Sequence, residues 1–168
     1  MYIFPLYLMF FKKSTTHLIL VLMLDRILEC RMIREFKTSD YNKVSKLWRD
    51  CGEFHEDLDS RSLVLGALKR NPDLLLVAEK KSDIVGTAFA SFDGRLALIY
   101  RVIVHPDYRR QGIASALMGE LENRLGRLGC QVVGLLVLEE NKVAISMYKR
   151  RGYKQLPHVR YMYKELTS

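Results

Sequence analysis

The chain has 168 residues, of which 49% are hydrophobic, and it carries a formal net charge of +8 at pH 7. This length and composition allow one domain with a hydrophobic core, and they exclude the low hydrophobicity typical of a disordered chain. The positive charge favours an anionic partner, either a nucleic acid, an acidic protein or a phosphorylated small molecule.

Residues 1–31 are apolar, but a polar stretch from Lys12 to His17 divides them into two runs. Each run is shorter than the ~20 residues that a helix needs to cross a bilayer, so we expect no transmembrane helix. The basic-then-apolar order of a signal peptide is also missing. Three interpretations of 1–31 stay open: an artefact of a start codon upstream of Met32, an extra packing or dimerising helix, or a membrane-surface anchor.

From Met32 onward the pattern alternates between strand-like and helix-like periods, which indicates a mixed α/β or α+β fold. A first strand is predicted over 32–37, and a helix-start signal follows at 38–40. Apolar residues then recur on one helical face. They are Val44, Leu47, Trp48 and Cys51. A second helix is predicted over 57–70.

Three strand-like runs come next, over 74–80, 84–93 and 95–104. The turns between them are short, which favours an antiparallel meander. A long helix that ends at Gly129 follows, because apolar residues recur every fourth position. They are Ile113, Leu117, Leu121, Leu125 and Leu128. A strand over 131–138 and a last helix over 142–151 complete the predicted elements.

The chain has three widely spaced cysteines, Cys30, Cys51 and Cys130. Their odd number and the absence of a CxxC or Cys/His grouping argue against a disulfide framework and against a zinc site. We therefore expect no metal and a reducing, cytoplasmic location.

The stretch HPDYRRQGIASALM, residues 105–118, combines many hydrogen-bond donors with little bulk at a helix start. A helix start exposes unpaired N–H groups and the positive end of the helix dipole, and Gly112 would let a phosphate approach closely. Arg109 and Arg110 add positive charge. The turn is a candidate pyrophosphate site, although Pro106 and Gly112 could serve only to shape it.

The same stretch resembles the GNAT acetyltransferase superfamily. Its signature of Arg or Gln, two residues, Gly, one residue, then Gly or Ala is matched by RRQGIA at 109–114, preceded by VHPDYR at 104–109. A second segment, ENKVAISMYKRRGYK at 140–154, resembles the family's later motif. Its matching residues are Asn141, Ala144, Ile145, Tyr148, Gly152 and Tyr153. The resemblance covers Met32 to Leu166 and is closest to the YpeA-like bacterial branch.

This resemblance implies an α+β GNAT fold over 32–168, with residues 1–31 as an N-terminal extension. The sheet would be central, twisted and mostly antiparallel, with about six to seven strands that splay at strands 4 and 5 and about four flanking helices. The implied protein is a cytoplasmic N-acetyltransferase that uses acetyl-CoA as acetyl donor and no metal. GNAT proteins are often dimers, so a homodimer is also expected.

The resemblance also implies roles for individual residues. The strand residues whose backbone would pair with the pantetheine arm are Val102, Ile103 and Val104. The residues whose backbone would hold the pyrophosphate are Arg109, Arg110, Gln111, Gly112, Ile113 and Ala114. Asn141 would hydrogen-bond the arm near the thioester, unless it is only a helix N-cap. Tyr148 would be the catalytic acid that protonates the departing thiolate, unless it is only a core aromatic residue.

The implied reaction is direct attack of a primary amine on the thioester in a ternary complex, with the N–H of Ile103 polarising the oxyanion. Many family members use a Glu to deprotonate the amine, but Tyr100 and Leu136 occupy the two usual positions. The base is therefore unassigned. The candidates are Glu53, His55, Glu56, Asp57, Glu139 and Glu140.

A missing base favours an acceptor that loses its proton easily. At pH 7 a lysine amine with a pKa of about 10.4 costs roughly 4.6 kcal/mol to deprotonate, whereas a peptide α-amine near 8 costs about 1.4 kcal/mol. The alternative function is a non-catalytic acyl-CoA-binding sensor, which the missing Glu favours and Tyr148 opposes. We expect no nucleic-acid binding, because no base-reading basic helix or aromatic platform is evident.

Overall fold

The computed structural model describes residues 33–166, so the predicted extension over 1–31 lies outside the described residues. The chain is divided into two compact units, the first ending at Leu135 and the second beginning at Leu136. No helix within 33–166 is long and apolar enough to cross a membrane.

The first unit is built on a five-stranded sheet in which the strands follow one another in chain order. They are β1 (Ile33–Glu35), β2 (Leu75–Lys80), β3 (Asp83–Phe92), β4 (Leu96–Val104) and β5 (Val132–Leu135). The first four strands pair antiparallel, and β5 runs parallel to β4. The mixed, mostly antiparallel sheet is confirmed. The described strands number fewer than the six to seven expected, and β5 ends three residues before the predicted 138.

Five α-helices lie in the described residues. They are α1 (Tyr41–Asp50), α2 (Glu56–Asp59), α3 (Arg61–Arg70), α4 (Ile113–Arg127) and α5 (Lys142–Arg150). The prediction of one continuous helix over 57–70 was wrong. Ser60, with φ −57° and ψ 152°, is extended, and this conformation separates α2 from α3.

Helices cover the two faces of the sheet in the first unit. On one face α1 packs through Val44 and Trp48 against buried residues of β2 and β3. Thr87 of β3 accepts a hydrogen bond from Trp48 and so faces α1, whereas its neighbour Gly86 faces α4. Because successive strand residues point to opposite faces, α1 and α4 lie on opposite sides of the sheet.

The predicted apolar stripe of α4 forms its buried side. Ile113, Leu117, Leu121 and Leu125 are all buried, as their fourfold spacing predicts. The last predicted member, Leu128, is instead exposed and is the C-cap of α4.

Gly86 marks a close approach of α4 to the sheet. A Cβ added there would lie 3.2 Å from the carbonyl oxygen of Ile103 and 3.2 Å from the side chains of Ile113 and Leu117. We expect Gly86→Val to lower the free energy of unfolding by about 1–3 kcal/mol, because overpacking forces these atoms apart. Urea denaturation would measure the change.

Gly134→Val is the matched control for that substitution. A Cβ on Gly134 of β5 meets no atom of the described residues closer than 3.9 Å, so we expect little or no destabilisation. Equal losses in the two variants would contradict the role given to the close approach at Gly86.

Strand β4 contains a β-bulge. It has one more residue than β3 between the pairs Tyr100–Phe89 and Ile103–Thr87. Arg101 lies in this bulge with a φ of 55°, in the left-handed region that non-glycine residues rarely adopt. The bulge therefore changes which β4 residues direct their backbone N–H and C=O groups at β3.

The predicted splay between strands 4 and 5 concerns the last part of β4, where its pairing with β5 stops. Pairing between β4 and β5 begins at Leu96–Val132 and reaches Ile99–Leu135. Strand β5 ends there, whereas β4 continues to Val104. The last part of β4 thus extends beyond the paired part of β5.

Candidate active site

The turn between β4 and α4 has the geometry of an anion-binding helix start. It begins with a short 3-10 helix over Pro106–Tyr108, and Gly112 is the N-cap of α4. Gly112 has a φ of 81°, which glycine adopts without the steric cost that a Cβ brings. Its carbonyl accepts the N–H of Ala116, and the N–H groups of the first turn point out of the helix end.

The side chain of Gln111 in this turn is held on both sides. Its Oε1 accepts a hydrogen bond from Lys80 Nζ at 2.7 Å, and its Nε2 donates to the carbonyl of Asp107 at 3.4 Å. Lys80 Nζ also lies 5.5 Å from the ring centre of Tyr108. Lys80 was not predicted from the sequence to reach this turn. The only available signal was the basic pair Lys80–Lys81 between two predicted strands.

The register of β4 decides which of its backbone groups an added strand could reach. Ile103 lies opposite Thr87, and two residues later the N–H of His105 donates to the carbonyl of Val85 at 2.9 Å. In an antiparallel pair, alternate residues direct both backbone groups at the partner strand. The N–H and C=O of Ile103 are therefore directed at β3.

Val102 and Val104 consequently direct their backbone groups away from β3. On that side Arg109 Nε donates to the carbonyl of Val104 at 3.0 Å. The arrangement favours Val102 and Val104 for backbone pairing with an extended ligand. The N–H of Ile103, to which the family resemblance gave the oxyanion role, is instead turned towards β3.

Asn141 and Tyr148 belong to the second unit. Asn141 is the N-cap of α5, and its Oδ1 accepts the N–H of Ala144 at 3.1 Å. Tyr148 is 8% exposed, and its ring contacts that of Tyr153 edge-on at 5.7 Å between centres. Burial raises the pKa of the Tyr148 phenol. At neutral pH this phenol can therefore donate a proton but not accept one.

Tyr100, at one of the usual Glu positions, is not suited to be a base. Its ring packs 4.7 Å from that of Phe89, and burial raises the pKa of its phenol. The six candidate bases named from the sequence are all exposed. The carboxylate of Glu56 pairs with Arg49 at 3.3 Å. The structure therefore singles out none of the six.

Two charged residues that the sequence analysis did not select, Asp59 and Arg101, form an ion pair beside the β4 bulge. They are 42 positions apart, so no local pattern could have joined them. No group of three or more His, Cys, Asp or Glu residues capable of holding a metal occurs within 33–166.

A cavity of about 390 Å³ lies away from the β4–α4 turn. The residues that line it include Glu35, the last residue of β1, and Leu74, which precedes β2. Arg124 and Leu128, at the C-terminal end of α4, also line it. Because Gly112 lies at the other end of α4, the cavity is separate from the candidate pyrophosphate turn.

Comparison with known proteins gives consistent matches. Residues 33–153 match the model of the acetyltransferase (GNAT) family. An acetyltransferase of Sodalis glossinidius is 37% identical over 136 residues, which is 81% of this chain and 96% of that protein. An acetyltransferase of Pectobacterium atrosepticum is 38% identical over 122 residues, covering 73% of this chain and 86% of that protein.

Solved structures with a similar fold include Ard1 from Thermoplasma volcanium. It superimposes with a TM-score of 0.64 and 27% identity, covering 71% of this chain and 80% of that chain. The PaiA N-acetyltransferase from Thermoplasma acidophilum, solved in complex with coenzyme A, has a TM-score of 0.62 and 22% identity. The superposition covers 73% of this chain and 88% of that chain. At 22% identity the similarity concerns the fold alone.

Proposed function

Because the chain belongs to the acetyltransferase (GNAT) family, we propose that it transfers the acetyl group of acetyl-CoA to a primary amine. The acceptor is a small molecule or a peptide α-amine, and it attacks the thioester directly in a ternary complex. The observation that carries this proposal is the β4–α4 turn, where the left-handed Gly112 begins a 15-residue helix beside Arg109 and Arg110.

The β4–α4 turn fits the pyrophosphate of acetyl-CoA. The N–H groups from Gly112 to Ala114 lie at the positive end of α4, where an anion is stabilised. Arg109, Arg110 and Gln111 would add positive charge and donors around it. The carbonyl of Val102 and the backbone of Val104 would pair with the amides of the pantetheine arm, while the N–H of Val102 stays available for the thioester and Ile103 keeps its pairing with β3. Asn141 would hydrogen-bond the same arm.

The proposed chemistry assigns one group to each developing charge. Acetyl-CoA supplies an activated acyl group whose carbonyl carbon forms the new C–N bond as the C–S bond breaks. The N–H of Val102 replaces that of Ile103 as the proposed oxyanion donor, because it faces away from β3. Tyr148 gives its phenolic proton to the departing thiolate, and the amine loses a proton to water.

The proposed preference for an α-amine follows from the lack of a Glu at the two usual base positions. A peptide α-amine at pH 7 is about 200-fold more often neutral than a lysine side chain, because their pKa values differ by about 2.4. We expect a higher kcat/KM for a peptide with a free N-terminus than for an N-blocked lysine peptide of matched sequence. A higher value for the lysine peptide would overturn this preference.

The test is acetyl-CoA-dependent thiol release by the full chain. The amine panel contains the two matched peptides, a polyamine, free amino acids and an aminoglycoside, with Tyr148→Phe as the inactive control. Release that depends on an amine and is lost in the control supports N-acetyl transfer. Thermal stabilisation by acetyl-CoA without release from any amine would favour a non-catalytic acyl-CoA-binding module instead.

Three further expectations stay predictions. Sedimentation of the purified chain tests the homodimer, and a gel shift at physiological salt tests the expected lack of nucleic-acid binding. Fractionation of cells tests the cytoplasmic location.

A further inference from the structure

Arg101 and Asp59 form a bidentate ion pair in the first unit. Arg101 Nε and Nη2 donate to the two carboxylate oxygens of Asp59 at 3.0 and 2.6 Å. The side chains are 15% and 7% exposed. Charge-assisted pairs of this geometry are strong and directional, and loss of one partner leaves an unpaired charge out of water. The pair is therefore able to hold two segments in one arrangement.

The Arg101 end of the pair is the β4 bulge. The φ of 55° at Arg101 is unfavourable for a residue with a Cβ, so its surroundings must hold it there. Its carbonyl accepts a hydrogen bond from Thr87 Oγ1 at 2.9 Å, and Thr87 accepts one from Trp48 Nε1 at 3.0 Å. Arg101 is thus held through its backbone by Thr87 and through its guanidinium by Asp59.

The Asp59 end of the pair is the segment that follows α1. The Oδ2 of Asp59 accepts the N–H of His55 at 2.9 Å, and its main-chain carbonyl accepts the hydroxyl of Tyr41 at 2.8 Å. One carboxylate therefore ties this segment to β4. The segment contains four of the six exposed candidate bases, so its order also bears on the acceptor side of the reaction.

We propose that Arg101 and Asp59 are positioning residues whose ion pair holds the β4 bulge with the Val102 N–H turned away from β3. This inference rests on the proposed function. The direction of Val102 depends on the extra residue in the bulge, because a one-residue change of register exchanges the backbone groups that face the partner strand. Without Asp59, the remaining contacts of Arg101 include the ring of Trp48, 5.6 Å from its guanidinium carbon, and the hydrogen bond from Thr87. Relaxation of Arg101 to an extended conformation should therefore become easier.

Asp59→Asn tests the pair, and Asp40→Asn is its matched control. Asp40 also forms a bidentate pair, with Arg34 at 2.6 and 3.1 Å, and its carboxylate also accepts a backbone N–H, that of Lys37 at 2.8 Å. The control pair joins β1 to the start of α1 and does not contact β4. Arg34 also donates to Glu79 at 2.6 Å, so Asp40→Asn is expected to lose no more Tm than Asp59→Asn.

The kinetic parameters separate positioning from general stability. We expect Asp59→Asn to lower kcat about 10- to 100-fold, since small misplacements of a catalytic group cost rates of this order. The KM for acetyl-CoA should rise by a smaller factor than kcat falls, because the proposed pyrophosphate turn lies outside the bulge, and Asp40→Asn should keep kcat. Arg101→Lys retains the charge but not the paired donors, so an intermediate kcat is expected. If Asp59→Asn does not fold, Arg101→Lys is measured in its place.

Hydrogen exchange gives a readout that needs no acceptor. In Asp59→Asn the amide of Ile103 should exchange faster than in the unaltered chain, and in Asp40→Asn it should not. Unchanged exchange, or an equal loss of kcat in the two variants, would overturn the positioning role. An unaltered chain that acetylates none of the amines would contradict the proposed function, and exchange at Ile103 would still decide the positioning role.

Discussion

Tyr148→Phe is expected to lower kcat about 100- to 1,000-fold, in the range that a general acid contributes to catalysis. The affinity for acetyl-CoA should change less than twofold, because phenylalanine keeps the ring and its edge-on contact with Tyr153. The hydroxyl is the only group removed. It is also the group whose pKa burial raises, so it carries a proton for the thiolate at neutral pH.

Steady-state thiol release and calorimetric titration with acetyl-CoA would measure these two effects. Tyr163→Phe is the control, because Tyr163 is 76% exposed and loses the same hydroxyl without an assigned role. A kcat near that of the unaltered chain in Tyr148→Phe would remove the role of acid from this residue.

The pH dependence of kcat should carry the same signature. A general acid works in its protonated form, so activity is lost as the pH rises through its pKa. Burial raises that pKa, and the loss should therefore begin above the ordinary tyrosine value of about 10. At lower pH the rate should rise with pH as the amine loses its proton. An alkaline loss that persists in Tyr148→Phe would argue against this assignment.

Gly112→Ala is expected to weaken acetyl-CoA binding about 100-fold, which corresponds to the loss of two charge-assisted hydrogen bonds of about 1.5 kcal/mol each. Alanine disfavours the φ of 81° at this position, and its methyl group would stand where the backbone must approach the pyrophosphate. The Kd from calorimetry measures the effect. It should appear mainly in binding and KM, with a smaller change in kcat.

Gly129→Ala is the control for backbone strain in that experiment. Gly129 follows the other end of α4 with a φ of 83°, and a Cβ there meets no atom of the described residues within 4 Å. The two variants should therefore lose similar amounts of stability, while only Gly112→Ala loses affinity. Equal affinities in the two variants would contradict the assignment of the turn to the pyrophosphate.

Local features of the fold were predictable because neighbouring residues determine them. The fourfold spacing of apolar residues predicted the buried side of α4, and the short turns predicted the antiparallel meander. The errors also arose locally. The break at Ser60 depends on one extended residue inside a helical pattern, and Leu128, the C-cap of α4, is exposed.

The sequence by itself determined the family, the glycine and arginines at the start of α4, and the absence of a Glu at the two usual base positions. These are properties of residue type and spacing, which are visible along the chain. The tertiary structure alone decided that Val102 rather than Ile103 faces away from β3, because one bulged residue reverses the alternation. It also decided that Lys80 reaches Gln111 and that Asp59 pairs with Arg101. Such contacts join residues far apart in the chain, and only the packing of helices and strands brings them within hydrogen-bonding distance.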